Sequence, residues 1–204
     1  MKRVAVLASG RGSNLAALVA AQSVFPSYRV VLVISNVEDS GALILAREAA
    51  IPALCFPSLG RPRDDHERSV VSALSDHAID MVCLAGYMRV LGPKLIDGFL
   101  KPILNIHPSL LPAFPGMHAQ RQAVEAGVRW SGATVHFVDA GLDSGPIILQ
   151  DPVKVEPDDT EAALSSRILK TEHAIYPQAT DIVARDAYEI RGRTVHLFGV
   201  APQT

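Results

Sequence analysis

Cysteine is nearly absent from this 204-residue chain: only Cys55 and Cys83 occur, both inside apolar runs. Two such residues make no disulfide framework, and buried free thiols in a reducing cytoplasm are the expected reading. An excess of one charge is also missing. Nineteen Lys and Arg stand against 21 Asp and Glu, for a net charge of −2, which leaves no global electrostatic footprint for nucleic acid or an anionic membrane. No uninterrupted apolar run approaches the ~18 residues that read as a spanning helix. The opening Met1-Lys2-Arg3 precedes an apolar stretch that ends at Gly10-Arg11-Gly12, too short for a signal peptide, so it reads as a first strand. His118, His136 and His173 show no zinc-type spacing with His107, and no metal is assigned. Repeats, low-complexity tracts and an interdomain linker are lacking too, so residues 1–204 are expected to form a single domain.

What is present is an ordinary globular composition, 49% hydrophobic and 20% charged, with mean hydropathy of +0.22, as expected of a soluble folded protein. Short β-branched runs alternate with Ala/Leu-rich segments through the first half, the pattern of βαβ units and a parallel sheet. Strands are predicted near 4–8, 29–34, 53–56, 81–85 and 103–106. Helices are predicted over 13–23, 41–50, 64–77 and 93–100. In the second half, a Pro/Gly-rich loop at 108–116 and a helix near 120–126 precede strands near 133–138 and 146–151. A long helix follows over 159–184, with Asp158, Asp159 and Thr160 available for capping. The tail at 188–197, broken by Arg191-Gly192-Arg193, reads as a small hairpin or irregular edge. The fold class is α/β: a Rossmann-like, open, mostly parallel twisted sheet with helices on both faces and some antiparallel strands in the C-terminal part.

Ser9-Gly10-Arg11-Gly12-Ser13-Asn14-Leu15 falls between the first strand and the first helix. Glycines there let backbone approach an anion, and helix N-terminal N–H groups with the positive macrodipole end make a phosphate site. Leu15 stands where a dinucleotide fingerprint needs its third glycine, and the Gly-Lys-Ser/Thr of a nucleotide P-loop is missing. A small phosphorylated metabolite fits better. The same residues also fit a tight turn with Ser13 or Asn14 capping the helix.

Leu104-Asn105-Ile106-His107-Pro108 closes a buried strand. Alternation puts Asn105 and His107 on one face, Cα atoms about 7 Å apart, within reach of one carbonyl group. Pro108 holds His107 extended and ends the strand at the carboxyl edge, where open α/β sheets bind ligands. An amide beside an imidazole suits oxyanion stabilisation and proton transfer, although a hydrogen-bonded strand end would use the same pair. A carboxylate from the loop Asp139-Ala140-Gly141-Leu142-Asp143-Ser144-Gly145-Pro146, if delivered beside His107, would favour the protonated ring. Gly86-Tyr87-Met88-Arg89-Val90-Leu91 and Lys170-Thr171-Glu172-His173 are lesser features that fit ordinary scaffold as well.

Together these segments, with Pro115-Gly116-Met117-His118 and Val135-His136-Phe137-Val138, resemble the folate-dependent glycinamide ribonucleotide formyltransferases over nearly the whole chain. The Asn–His–Asp part is shared with methionyl-tRNA formyltransferase and formyltetrahydrofolate hydrolase; the Gly-Ser-Asn loop selects among them. Neither the extra C-terminal domain of the tRNA enzyme nor the N-terminal regulatory domain of the hydrolase is expected. The resemblance implies transfer of the formyl group of 10-formyltetrahydrofolate, as co-substrate, to the amine of 5-phosphoribosylglycinamide in de novo purine synthesis. It implies Asn105, His107 and Asp143 as catalytic residues acting through a tetrahedral oxyanion without a covalent enzyme intermediate. Gly12, Ser13 and Asn14 would take the ribonucleotide phosphate and Glu172 the ribose. Folate contacts would fall on Arg63, Met88, Arg89, Val90 and Leu91, on Asn105, and on Ala140, Gly141, Leu142, Asp143 and Ser144. Gln120 departs from members with histidine there, outside the catalytic trio. A cytoplasmic enzyme is implied, and a homodimer is compatible with the sequence. A formyltetrahydrofolate hydrolase and a non-catalytic phosphometabolite-binding protein are the competing expectations.

Overall fold

The computed structural model describes residues 1–199 and divides the chain into two compact units, one of residues 1–104 and one from Asn105 onward. In the first unit four strands, β1 (Lys2–Leu7), β2 (Tyr28–Ser35), β3 (Ala53–Cys55) and β4 (Met81–Leu84), lie in the order β3-β2-β1-β4. Every pairing among them is parallel. Residues 4–7 have no exposure at all, as expected of a central parallel strand covered on both faces, where the sequence is uniformly apolar instead of alternating. The connections are α1 (Ser13–Ala20), α2 (Gly41–Glu48) and α3 (Arg63–Asp76), with the four-residue α4 (Pro93–Ile96) after β4.

Two helices end three or more residues earlier than the sequence predicts. α1 gives way at Ala21–Ser23 to a 3-10 turn, where the Gln22 amide donates to the Val19 carbonyl and accepts from Val30 N–H. α4 begins on Pro93, a favourable first helical position, but stops well before residue 100. At Gly98 a Cβ would stand only 2.5 Å from the Lys94 carbonyl oxygen, a turn too tight for regular helix with a side chain.

The second unit takes the last residues of β5 (Ile103–His107), then α5 (Ala119–Glu125), β6 (Trp130–Phe137), β7 (Ile147–Lys154), α6 (Glu161–Ala184), β8 (Tyr188–Arg191) and β9 (Thr194–Leu197), with strand order β5-β6-β7-β9-β8. β6 and β7 are antiparallel, and β8 with β9 forms a hairpin, the first of the two expectations for the tail. β6 and β7 are each three residues longer than predicted at one end. β7 tolerates Pro152, paired with Gly132 on one side, because its other neighbour β9 reaches it only at Ile147, and proline is accommodated where no ladder bond is lost. Thr160 caps α6 by accepting from Ala163 N–H at 3.2 Å. The α/β class read from the sequence is the class observed.

Candidate active site

Strand β5 ends on His107, and its alternation brings Asn105 and His107 to one face. Both meet a carboxylate presented from the loop after β6. His107 Nδ1 lies 3.4 Å from Asp143 Oδ2, and both side chains are nearly buried. Asn105 Nδ2 lies 3.5 Å from Asp143 Oδ1. Three residues spread over 39 positions of sequence therefore share one cluster.

The loop that delivers Asp143 is organised by its own first residue. Asp139 Oδ1 accepts from Gly141 N–H at 3.0 Å and from the Ser144 hydroxyl at 2.7 Å. A Cβ on Gly141 would fall 2.0 Å from Ser144 Oγ, and one on Gly145 would fall 1.8 Å from the Phe137 carbonyl oxygen. Only glycine permits both approaches. Asp143 itself stands in the left-handed region, at φ +48°, which aspartate tolerates better than most residues. Gly116 N–H donates to Asp143 Oδ2 at 2.7 Å.

His107 has acceptors on both ring nitrogens. Asp143 faces Nδ1, and the Phe114 carbonyl lies 2.8 Å from Nε2. Two acceptors are both satisfied when the ring carries two N–H donors. The turn supplying the Phe114 carbonyl is tied down by Ser109 Oγ, which donates to the Ala113 carbonyl. It is tied again by Thr134 of β6, whose hydroxyl donates to the Ser109 carbonyl at 2.6 Å and accepts from Leu111 N–H at 3.1 Å.

His136 joins the cluster, a residue the sequence marked within a resembling segment and as a rejected metal ligand but gave no role at this site. Its Nδ1 donates to the Phe137 carbonyl at 2.8 Å, so in the neutral ring Nε2 is an acceptor, 3.1 Å from Asn105 Nδ2. Burial pushes the His136 imidazole below its ordinary range, against the pull of the Phe137 carbonyl and Asp143. Neutral His136 thereby sets which end of the Asn105 amide is nitrogen. The signal available in sequence was its inward position on β6, two residues from Thr134.

In the first unit, Gly12 is the N-cap of α1 at φ +85°, with no side-chain cap bond. Ser13 and Asn14 are thus the first two helical residues and not its caps. A Cβ on Gly12 would meet Ala42 Cα at 2.8 Å, whereas one on Gly10 would meet nothing within 4 Å; Gly12 is required by close packing on α2 and Gly10 opens to space. The first turn of α1 carries no acidic residue, as an anion site at a helix N-terminus requires. Ser9 accepts from Met88 N–H at 2.8 Å and donates to Asn36 at 2.5 Å, tying the glycine loop to residues 88–91. Met88 and Val90 are exposed, Leu91 is buried, and Arg89 donates to the Ser58 carbonyl. Arg63 donates to the Val90 carbonyl and to Glu67. Glu172 is a buried residue of α6. Among the described residues no group of three His, Cys, Asp or Glu side chains is arranged to hold a metal ion, and no helix is long and apolar enough to cross a membrane.

The family model described as formyl transferase matches residues 2–180. The chain belongs to the formyl transferase family. Among its relatives is the phosphoribosylglycinamide formyltransferase of Bacillus subtilis, 40% identical over 182 residues that make up 87% of this chain and 92% of that protein. The trifunctional purine biosynthetic protein adenosine-3 of Drosophila melanogaster is 46% identical over 184 residues, 87% of this chain, and the match spans only 14% of that much longer protein. Among solved structures, glycinamide ribonucleotide transformylase 1 of Symbiobacterium toebii superposes with a TM-score of 0.94 at 46% identity, covering 97% of this chain and 94% of its own. A formyl transferase therefore accounts for the whole succession of elements described above.

Proposed function

We propose that this formyl transferase moves the formyl group of 10-formyltetrahydrofolate to the amine of 5-phosphoribosylglycinamide, a step of de novo purine synthesis, and that residues 1–204 work as one formyltransferase domain. The observation that carries the reading is the Asp143 carboxylate placed within 3.4–3.5 Å of both His107 and Asn105. The phosphoribosylglycinamide formyltransferases among its relatives support the choice of acceptor.

The substrate amine attacks the formyl carbon; a C–N bond forms and the carbonyl π electrons move to oxygen. Protonated His107, held by Asp143, stabilises that oxyanion, and the Asn105 amide adds a hydrogen bond. The 3.5 Å contact of Asn105 Nδ2 with Asp143 is long, so that N–H is the one to turn toward the oxyanion while His136 keeps the other. Nε2–H of His107 exchanges the Phe114 carbonyl for the reacting oxygen. Collapse breaks the bond from the formyl carbon to the folate nitrogen, which gains a proton as the former amine loses one, with Asp143 through water and His107 managing the transfer. Direct transfer suffices once both substrates are held together.

Gly12, Ser13 and Asn14 take the ribonucleotide phosphate and Glu172 the ribose. Arg63, Met88, Arg89, Val90 and Leu91, together with Asn105 and residues 140–144, contact the folate. The setting is cytoplasmic, and a homodimer is the assembly to test by sedimentation. The deciding experiment follows loss of the formyl group from 10-formyltetrahydrofolate by absorbance with the ribonucleotide present and then omitted. Turnover only in its presence is the expected result. Turnover without it would instead identify a hydrolase, and none in either case would leave a binding protein.

A further inference from the structure

Two buried polar side chains of the first unit have no part in that chemistry. His66 and Glu67 are consecutive residues of α3, exposed to 1% and 2%, among the apolar Val70, Ala73 and Leu74 that the same helix buries. Burying an imidazole and a carboxylate is unfavourable unless each is paired. Their partners are the two ends of one short segment. The Tyr87 hydroxyl lies 2.6 Å from His66 Nε2, and Gly92 N–H and Leu95 N–H donate to Glu67 at 2.6 and 3.2 Å.

Burial, aided by nearby cations, keeps the His66 ring in an accepting state. Burial, Arg89 and Arg61 push it below its ordinary range, opposed by Glu67 and the Phe56 carbonyl that faces it. Tyr87 is pushed up to about 12, chiefly by burial, so its hydroxyl always has a hydrogen to donate. Arg63, one turn before Glu67, donates to the Val90 carbonyl and to Glu67 Oε1. A Cβ on Gly92 would lie 2.8 Å from both Arg63 Nε and Glu67 Oε1, so the clamp closes directly on backbone. Between the clamped ends Met88 and Val90 remain 69% and 61% exposed.

We propose that His66 and Glu67 are positioning residues that hold residues 88–91 in the conformation that receives the folate co-substrate. The proposal rests on the reading above in which this segment contacts folate. A clamp that served stability alone would lower the folded fraction, and with it kcat, while leaving both KM values alone, whereas a positioning clamp acts on the KM of one substrate.

The test compares Tyr87→Phe, which removes one oxygen and leaves the packing, with His66→Phe, their double variant, Glu67→Gln and the exposed-site control Val90→Asp. Both KM values, kcat and thermal stability are measured with 10-formyltetrahydrofolate and the ribonucleotide. The expected result is a rise of about three- to tenfold in the folate KM for Tyr87→Phe and His66→Phe, with kcat and the ribonucleotide KM within about twofold. The double variant is no worse than either single one, because both remove the same bond. Glu67→Gln, which keeps one acceptor oxygen but sets an NH2 donor against Leu95 N–H or Gly92 N–H, raises the folate KM further. If Val90→Asp raises the folate KM but Tyr87→Phe and His66→Phe do not, the clamp is overturned while the folate segment stands. A fall in kcat and melting temperature with both KM values unchanged overturns it as general damage. An unchanged folate KM in Val90→Asp removes the segment from the folate site, and the proposal with it.

Discussion

Asp139 touches neither His107 nor Asn105, yet it sets the position of the carboxylate that does. Its Oδ1 receives the Gly141 N–H and the Ser144 hydroxyl, and between these two donors Asp143 is held at φ +48°. A left-handed residue other than glycine costs about 1–2 kcal/mol, so the loop keeps this shape only while its neighbours over-determine it. Hydrogen bonds to a charged group contribute about 1.5–3 kcal/mol each, and taking the low end for a half-buried carboxylate, the pair contributes about 3 kcal/mol. At about 1.4 kcal/mol per tenfold, Asp139→Ala lowers the population of the competent loop by at most roughly 150-fold. The expected fall in kcat/KM for formyl transfer is about 10- to 100-fold, with denaturant stability changed by less than about 1 kcal/mol, since the lost bonds lie in a surface loop. Ser144→Ala removes one of the two bonds and falls by about the square root of that factor, whereas Asp139→Asn keeps an acceptor oxygen and stays within about fivefold. Steady-state assays under saturating ribonucleotide decide the matter. Asp139→Ala within twofold of wild type would show that Asp143 holds its place without help from Asp139.

His107→Ala and Asn105→Ala are each expected to lower kcat by about 10²–10⁴ with the fold retained, checked by turnover beside circular dichroism; wild-type turnover in either variant would remove that residue from the reaction. Substitution of Ser13 or Asn14 by Ala weakens ribonucleotide binding far more than folate binding, measured as separate dissociation constants by calorimetry, and equal weakening of both would contradict the phosphate assignment. Burial holds His66, His136 and His173 below the ordinary histidine value. The unfolded chain therefore binds more protons below about pH 6.5, and stability falls as pH drops through that point toward the lower folded values. Urea midpoints measured from pH 8 to 5 should show this decline. A His136→Phe variant should show a shallower one.

The parts of this fold that could be read in the sequence are those governed by neighbours along the chain. The uniform apolar run of β1, the alternation that puts Asn105 and His107 on one face, and the turn residues of the hairpin at Gly192 all act within a few positions. The boundaries that moved are those where a distant contact decides. Gln22 ends α1 because it bridges Val19 and Val30, and β7 continues past Asp151 because β6 offers Gly132 opposite Pro152. The cluster of Asn105, His107 and Asp143 divides along the same line. Asn105 and His107 were visible as a pair, but the carboxylate beside them, the Phe114 carbonyl on Nε2 and the neutral His136 that orients the amide depend on chain segments meeting in space. The glycine loop shows the limit most clearly. Its sequence pointed to a backbone open to an anion, and at Gly10 it is open, whereas Gly12 is glycine because α2 presses against it. A glycine in a motif can thus serve the ligand or the fold, and the two are separated by what a Cβ would strike.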